Sequence, residues 1–278
     1  CAQYVYEADI RGFFDHLDHD WLMRMIELKV GDPWILRLIR KWLKAGILEK
    51  GETHRPEEGT PQGGPLSPLL ANVYLHYVLD LWFTKLIRPR CRGGAQLVRY
   101  ADDFLVLFEY EEDANRFAKA LPERLAKFSL EVAPEKTRLT PFGLRFWRQG
   151  KGAAGSFDFL GFSHHLGTSF RGAMVVVRIP AMKSVRRFLA AVKEWLRQNM
   201  HLPPMEQQRA LTARLRGFYQ YFALRHCARK LRLVRYQIAW FWRWALGRRG
   251  DRGKHGLTYW HNKPWFRLPE PRLLHPSV

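Results

Sequence analysis

Asp102 and Asp103 stand side by side between two runs rich in β-forming residues, 96–100 and 104–108. Aspartate is an ordinary turn residue, so the pair alone fits a hairpin tip as readily as a reactive site. A third carboxylate changes the balance. Asp9 lies in another β-rich stretch, residues 4–10, directly before Ile10 and the aromatic pair Phe13 and Phe14. Carboxylates on neighbouring strands can meet at one sheet edge and supply the oxygen ligands that hard cations such as Mg²⁺ require. Two such ions about 3.5–4 Å apart lower the pKa of an attacking hydroxyl and hold the departing oxygen of an in-line displacement. The chemistry suggested is metal-dependent phosphoryl transfer, in which the protein contributes position and charge neutralisation rather than a nucleophile.

The elements that must position these residues follow from local pattern. Residues 4–10 alternate as a strand, and helical patterning covers 18–29 and 32–45, the latter with Pro33 in its first turn. Residues 59–67 are turn chemistry. Ser67 as N-cap and Pro68 as the next residue open an apolar helix along Leu69, Val73, Tyr77 and Leu81. The runs around Asp102 and Asp103 predict a hairpin. A helix at 112–128, a strand near Leu130 and a hairpin over 144–162 complete the front half. Strands interleaved with helices and joined by hairpins indicate an α+β layer rather than a doubly wound sheet. From Ser184 the chain becomes helical, with breaks at Pro203–Pro204 and near Arg232, and most of Trp240, Trp242 and Trp244 are expected in the core.

Charge divides the chain in the same place. The net charge is +20, from 46 Lys+Arg and 26 Asp+Glu. From Arg171 onward there are 23 basic and 4 acidic residues, net +19, against 23 and 22 before it, net +1. A basic segment rich in aromatics suits a polyanion whose bases can stack, which is nucleic acid. Cys1, Cys91 and Cys227 are too scattered for a zinc or disulfide framework, and a reducing cytoplasm is the default. No run is long and apolar enough for a membrane span.

Five segments in order carry a family resemblance. Tyr100-Ala101-Asp102-Asp103 resembles the YADD box of reverse transcriptases, and residues 8–15 resemble their first palm motif. Residues 59–72 (GTPQGGPLSPLLAN) are similar to the group II intron form of the next motif. Pro134-Glu135-Lys136-Thr137 and Phe159-Leu160-Gly161-Phe162 resemble the two motifs after YADD. The resemblance implies an RNA-directed DNA polymerase and maturase of the bacterial group II intron type. Its expected fold is a palm, a four-stranded antiparallel sheet backed by helices, with partial fingers over 1–170. A basic all-helical thumb, or maturase X domain, is expected over 171–278.

The resemblance also implies roles. Asp9, Asp102 and Asp103 are the catalytic carboxylates, and with Ile10 they form the metal-binding set for two Mg²⁺ ions, with Mn²⁺ as a substitute. Phe14 stacks under the incoming sugar and excludes a 2′-hydroxyl. Gln62 reaches the nucleotide or template, Gly63 and Gly64 let the backbone come close, and Lys136 neutralises or protonates the leaving pyrophosphate. Arg214, Arg225, Arg229, Arg232, Arg235 and Arg243 are the candidates for phosphate contact. The implied partners are an RNA template, a DNA primer, deoxynucleoside triphosphates and a group II intron RNA, in a bacterial cytoplasm. Ser129 stands where the family usually carries glycine. The chain reads as an N-terminally truncated piece that lacks the fingers motifs. Two readings remain beside the first: a non-catalytic RNA-binding maturase, and a CRISPR-associated or retron-type reverse transcriptase.

Overall fold

β1 (Tyr4–Ala8) is, apart from Glu7, made of aromatic, β-branched and small residues that fit a pleated surface, and it becomes an interior strand. The computed structural model describes residues 2–44, 47–49, 52–54, 66–150, 152–248, 260 and 262–272. Two units make up the chain, Cys1–Phe157 and Asp158–Val278.

In the first unit β1 is followed by α1 (His19–Glu27), α2 (Pro33–Lys44), the short strands β2 (Ile47–Glu49) and β3 (Glu52–His54), and α3 (Ser67–Leu75). Two π-helical turns, His76–Asp80 and Phe83–Ile87, continue α3. Then come β4 (Ala95–Tyr100), β5 (Asp103–Phe108), α4 (Glu111–Ala126), a 3₁₀ turn at Pro134–Lys136, β6 (Arg138–Pro141) and α5 (Leu144–Arg148). β7 (Ser156–Phe159) carries the chain across the boundary.

The sheet runs β4-β5-β1-β6 with every neighbour antiparallel, so the four-stranded antiparallel sheet expected from sequence is present. Alternate residues Tyr4, Tyr6 and Ala8 of β1, with Phe104, Val106 and Phe108 of β5, join one core, as the two-residue period requires. α4 covers it with Ala114, Phe117, Leu121 and Leu125, spaced three and four apart on one helical face. Asp18 caps α1 by accepting from the N–H groups of Asp20 and Trp21, both at 2.9 Å.

Several local expectations are corrected. Ser67 is the first helical residue of α3 and is buried, while Leu66 takes the N-cap position with no side-chain cap. The buried face carries Leu70, Ala71, Tyr74, Leu75, Val78, Leu79 and Phe83, and Leu69 points outward. Residues spaced by four drift around a regular α-helix; the wider π-helical turns keep them on one side. Residues 144–148 form a helix rather than a strand. Gln3 Oε1 accepts from the Arg145 N–H at 3.0 Å, and Phe146 packs edge-on against Tyr4. Near Leu130 only an isolated bridge forms, Ile10 to Val132, and β6 supplies the fourth strand. Ser129 holds φ +58, the left-handed region that glycine adopts freely, which gives a physical reason for glycine at this position.

The second unit opens with a hairpin, β8 (Phe162–Thr168) and β9 (Met174–Pro180), in register from Phe162↔Pro180 to Thr168↔Met174. The helices α6 (Met182–Gln198), α7 (Pro204–Phe222) and α8 (Ala228–Gly247) follow. They share a core of Val192 and Leu196, Leu211 and Leu215, and Leu231, Val234, Ile238 and Trp242. α8 begins at Ala228 rather than beyond Arg232. Of its tryptophans Trp242 is buried, whereas Trp240 and Trp244 are exposed, so the sequence-based expectation holds for only one of the three. Among the described residues no helix is long and apolar enough to cross a membrane.

Candidate active site

The β1–β5 register brings the acidic residues to one end of the sheet. Ala8↔Phe104 is the last pair of the two strands, so Asp9 just beyond it and Asp103 just before it occupy neighbouring strand ends. Antiparallel neighbours at such positions lie roughly 4.5–5.5 Å apart. Tyr100↔Asp103 closes the β4–β5 hairpin, leaving Ala101 and Asp102 as a two-residue turn. Tight hairpins of this length need positive φ, and Ala101 adopts +54° despite its Cβ. That conformation costs an L-residue about 1–2 kcal/mol.

Gly12 turns the chain after β1 with φ +51. This sends Phe13 into the core and leaves Phe14 half-buried, edge-on against Phe13 at 5.3 Å. Asp9 is also tied through its backbone, its carbonyl accepting from the Ala133 N–H at 2.8 Å, and Ile10 is buried in the bridge to Val132. The same segment delivers Lys136, whose ammonium forms an ion pair with Asp9 Oδ2. The hydrogen bond to Asp9, and then its charge, raise the Lys136 pKa. Asp103 is raised by partial desolvation of its carboxyl, followed by the charges of Asp102 and Asp9, with Lys136 opposing.

The sign of that shift has a consequence for stability. A carboxyl raised in the folded state binds its proton more readily there than in the unfolded chain. Its ionised form therefore opposes folding as pH rises through the window above the ordinary value of 3.8. Asp103→Asn is expected to raise the melting temperature at neutral pH, with the gain shrinking as pH falls toward 3.8. A pH series of thermal melts that shows no such gain rejects a raised Asp103 carboxyl.

Among the described residues no three His, Cys, Asp or Glu side chains converge closely enough to hold a metal ion. The donor chemistry nevertheless fits a hard divalent cation. Asp9, Asp102 and Asp103 offer only oxygens, and Asp103, raised first by desolvation, is raised further by the two neighbouring negative charges that a cation offsets.

Gln62, Gly63 and Gly64 lie outside the described residues. In the second unit Arg225, Arg229 and Arg232 are exposed, and Arg243 is half-buried in α8. Arg214 is held over the Trp195 ring at 4.3 Å, and Arg235 pairs with Glu270 at 2.9 Å. Arg214 and Arg235 therefore already have partners within their own unit.

Three residues of the first unit were missed from sequence: Arg99, Asp80 and Asn72. Arg99 Nε and Nη2 donate to Asp80 Oδ1 and Oδ2 at 2.8 and 2.6 Å. Its Nη1 donates at 2.8 Å to both Asn72 Oδ1 and the Ala101 carbonyl. The available signals were an arginine just before the turn and a lone Asp80 in an otherwise apolar run.

Comparison with known proteins places the chain in a family. Residues 1–164 match the family model described as reverse transcriptase (RNA-dependent DNA polymerase). The group II intron-encoded protein LtrA of Lactococcus lactis subsp. cremoris is 40% identical over 139 residues, covering 50% of this chain and 23% of LtrA. Protein YkfC of Escherichia coli (strain K12) is 32% identical over 131 residues, covering 38% of this chain and 34% of that protein. The chain thus spans about a quarter of LtrA. A solved telomerase from Candida albicans aligns at TM-score 0.46 and 13% identity, over 88% of this chain and 44% of that one. With the family model covering more than half of its length, the chain belongs to the reverse transcriptase (RNA-dependent DNA polymerase) family.

Proposed function

We propose that this chain is the palm and thumb portion of an RNA-directed DNA polymerase of the group II intron type. The observation that supports the proposal is that the strand register puts Asp9, Asp102 and Asp103 at the same end of the β4-β5-β1-β6 sheet. Asp9 and Asp102, with Asp103 and Ile10 beside them, are the residues to hold two Mg²⁺ ions. When bound, such ions acidify an attacking 3′-hydroxyl and neutralise charge on the departing pyrophosphate.

The chain's own residues then have distinct tasks. Lys136 neutralises or protonates the leaving pyrophosphate, and its raised pKa beside Asp9 favours the charge role. Phe14 presents a half-buried ring at the turn after β1 and crowds a ribose 2′-hydroxyl. Gln62 and Gly63 contact the nucleotide or template. Residues 1–170 form the palm with partial fingers, and 171–278 the thumb, whose +19 charge attracts the RNA template and DNA primer. Binding and splicing of a group II intron RNA in a bacterial cytoplasm complete the reading.

The test uses the full-length protein that contains this chain. It extends a DNA primer on an RNA template with deoxynucleotides in a Mg²⁺-dependent manner. Phe14→Ala is expected to improve ribonucleotide use relative to deoxynucleotide use by about tenfold or more, the range for one steric contact in a pocket. Tight, salt-sensitive RNA binding without extension removes the polymerase reading and leaves an RNA-binding maturase.

A further inference from the structure

We infer that Arg99 is a positioning residue: its guanidinium, locked between Asp80 and Asn72, holds the Ala101 carbonyl and so fixes where the Asp102 carboxylate lies. The inference rests on the polymerase reading for its kinetic arm but not for its metal-binding arm.

Arg99 is the penultimate residue of β4, an outer strand of the sheet, one residue before the Tyr100↔Asp103 pair that closes the hairpin. Its side chain is only 12% exposed. Two parallel bonds to one carboxylate fix the plane of a guanidinium as a single contact does not. With Asp80 occupying Nε and Nη2, Nη1 is aimed in one direction, and there it meets Asn72 Oδ1 and the Ala101 carbonyl together. The carbonyl belongs to the residue at φ +54, one bond before Asp102. A left-handed alanine is a conformation that its surroundings must impose, and a charge-assisted bond to its own carbonyl is such an imposition.

The other end of the clamp is itself unusual. Asp80 is the last residue of the π-helical turn His76–Asp80. Single π-helical turns within α-helices re-aim side chains and recur at functional sites. Here the turn directs Asp80 at Arg99, with His76 Nδ1 a further 3.6 Å from Asp80 Oδ2. Asn72 comes from α3, about two turns earlier, so two positions on one continuous helical segment brace the same guanidinium. A plain structural ion pair between helix and strand explains the bonds to Asp80. It gives no account of the fork's remaining nitrogen being spent on Asn72 and on the carbonyl beside Asp102.

Arg99→Lys separates the two accounts, because lysine keeps the charge beside Asp80 but loses the planar fork. A cavity of about 390 Å³, lined by Phe83, Thr84, Arg88 and Gln96 among others, adjoins the pair. Solvent can occupy the space a shorter head leaves, so the variant is expected to fold. In the full-length protein, kcat for nucleotide addition per active site should fall by about 10²-fold, the effect of misplacing a reacting group by an ångström. KM for deoxynucleotide should stay within about threefold, since Arg99 makes no substrate contact in the proposed site. Asp80→Asn should act in the same direction, and the double variant should be no worse than the worse single one.

The second readout is Mn²⁺ affinity at the carboxylates, followed by electron paramagnetic resonance, which is expected to weaken at least tenfold in Arg99→Lys. Asn72→Ala, which removes one brace and leaves the ion pair, should give a smaller loss in both readouts and serves if the lysine variant does not fold. Wild-type kcat and Mn²⁺ affinity in the folded variants overturn the clamp, whatever happens to their melting temperatures. If the wild-type protein extends no primer, the polymerase reading fails by itself, and the Mn²⁺ comparison alone decides the role of Arg99.

Discussion

Asp102→Asn is expected to slow nucleotide addition by about 10³-fold or more while leaving RNA binding unchanged. The substitution keeps the size and hydrogen-bonding capacity of the side chain and removes one negative charge from the turn. Charge stabilisation of the transition state by a bound metal is worth several kcal/mol, and each 1.36 kcal/mol is a factor of about ten in rate. Asp9→Asn should show a loss of the same order, with one difference. Lys136 is ion-paired to Asp9, so neutralising Asp9 also releases the ammonium, and excess Mg²⁺ should rescue it less well than Asp102→Asn. Neither residue belongs to the basic second unit, so the salt dependence of RNA binding should be that of the parent protein. Single-turnover primer extension alongside a salt titration of RNA binding makes the comparison. An Asp102→Asn protein that keeps a tenth of the wild-type rate would sink the assignment.

Trp242→Ala is expected to destabilise the second unit by about 3–5 kcal/mol, the range for removing a large aromatic from a core. Trp242 is fully buried and stacks on Phe266 with ring centroids 4.5 Å apart and planes 13° from parallel. Its Nε1–H donates to Gln207 Oε1 at 2.9 Å, and Gln207, also fully buried, donates onward to the Asn199 carbonyl at 2.7 Å. Deleting the indole therefore opens a cavity and leaves a buried amide oxygen short of a donor, which adds about 1–3 kcal/mol. Trp242→Phe should keep much of the stacking and lose chiefly the hydrogen bond. Trp244→Ala, two residues along on the exposed face, should fall within about 0.5 kcal/mol of the parent. Urea unfolding followed by circular dichroism ranks the three. Equal effects of Trp242→Ala and Trp244→Ala would contradict the packing of α8.

What could be read from sequence was whatever a local pattern encodes. Alternation in β1, the β-rich runs of β4 and β5 and the polar tip between them specified the sheet, and Asp18 marked the start of α1. The errors arose where a distant partner decides. Ser67 before Pro68 has the chemistry of an N-cap, yet it is drawn into the core as the first residue of α3. The apolar run behind it is hydrophobic on nearly every side, so no periodicity indicated which face is buried, and nothing local announces a π-helical turn. Residues 144–148 carry two aromatics that suit a strand, but Gln3 and Tyr4 hold them as a helical turn. In α8, tryptophans at 240, 242 and 244 are equally apolar in type, and only the helical rotation set by Leu231, Val234 and Ile238 puts Trp242 inside. The candidate site divides in the same way. Asp9, Asp102 and Asp103 were visible because motif order ties them together. Arg99 and Asp80 were not, because their meeting depends on how the helical segment after α3 is wound.

The strand that arrives first in the chain has to wait for its neighbours. Tyr4 of β1 finds its partners at Phe108 and at Pro141, so β1 becomes an interior strand only after β6 has left the ribosome. At synthesis rates of about 5–20 residues per second, that delay is on the order of ten seconds, during which the β1 edge that β6 covers has no β6 to pair with. Closing so long a loop is entropically slow, and non-local pairing of this kind sets a low folding speed. A nascent chain or nonsense product ending before β6 leaves β1 as an open edge, a template for association with other chains. Asp9 and Asp103 depend on the β1–β5 pairing for their proximity, so the carboxylate cluster is absent from any nascent chain that ends before β5.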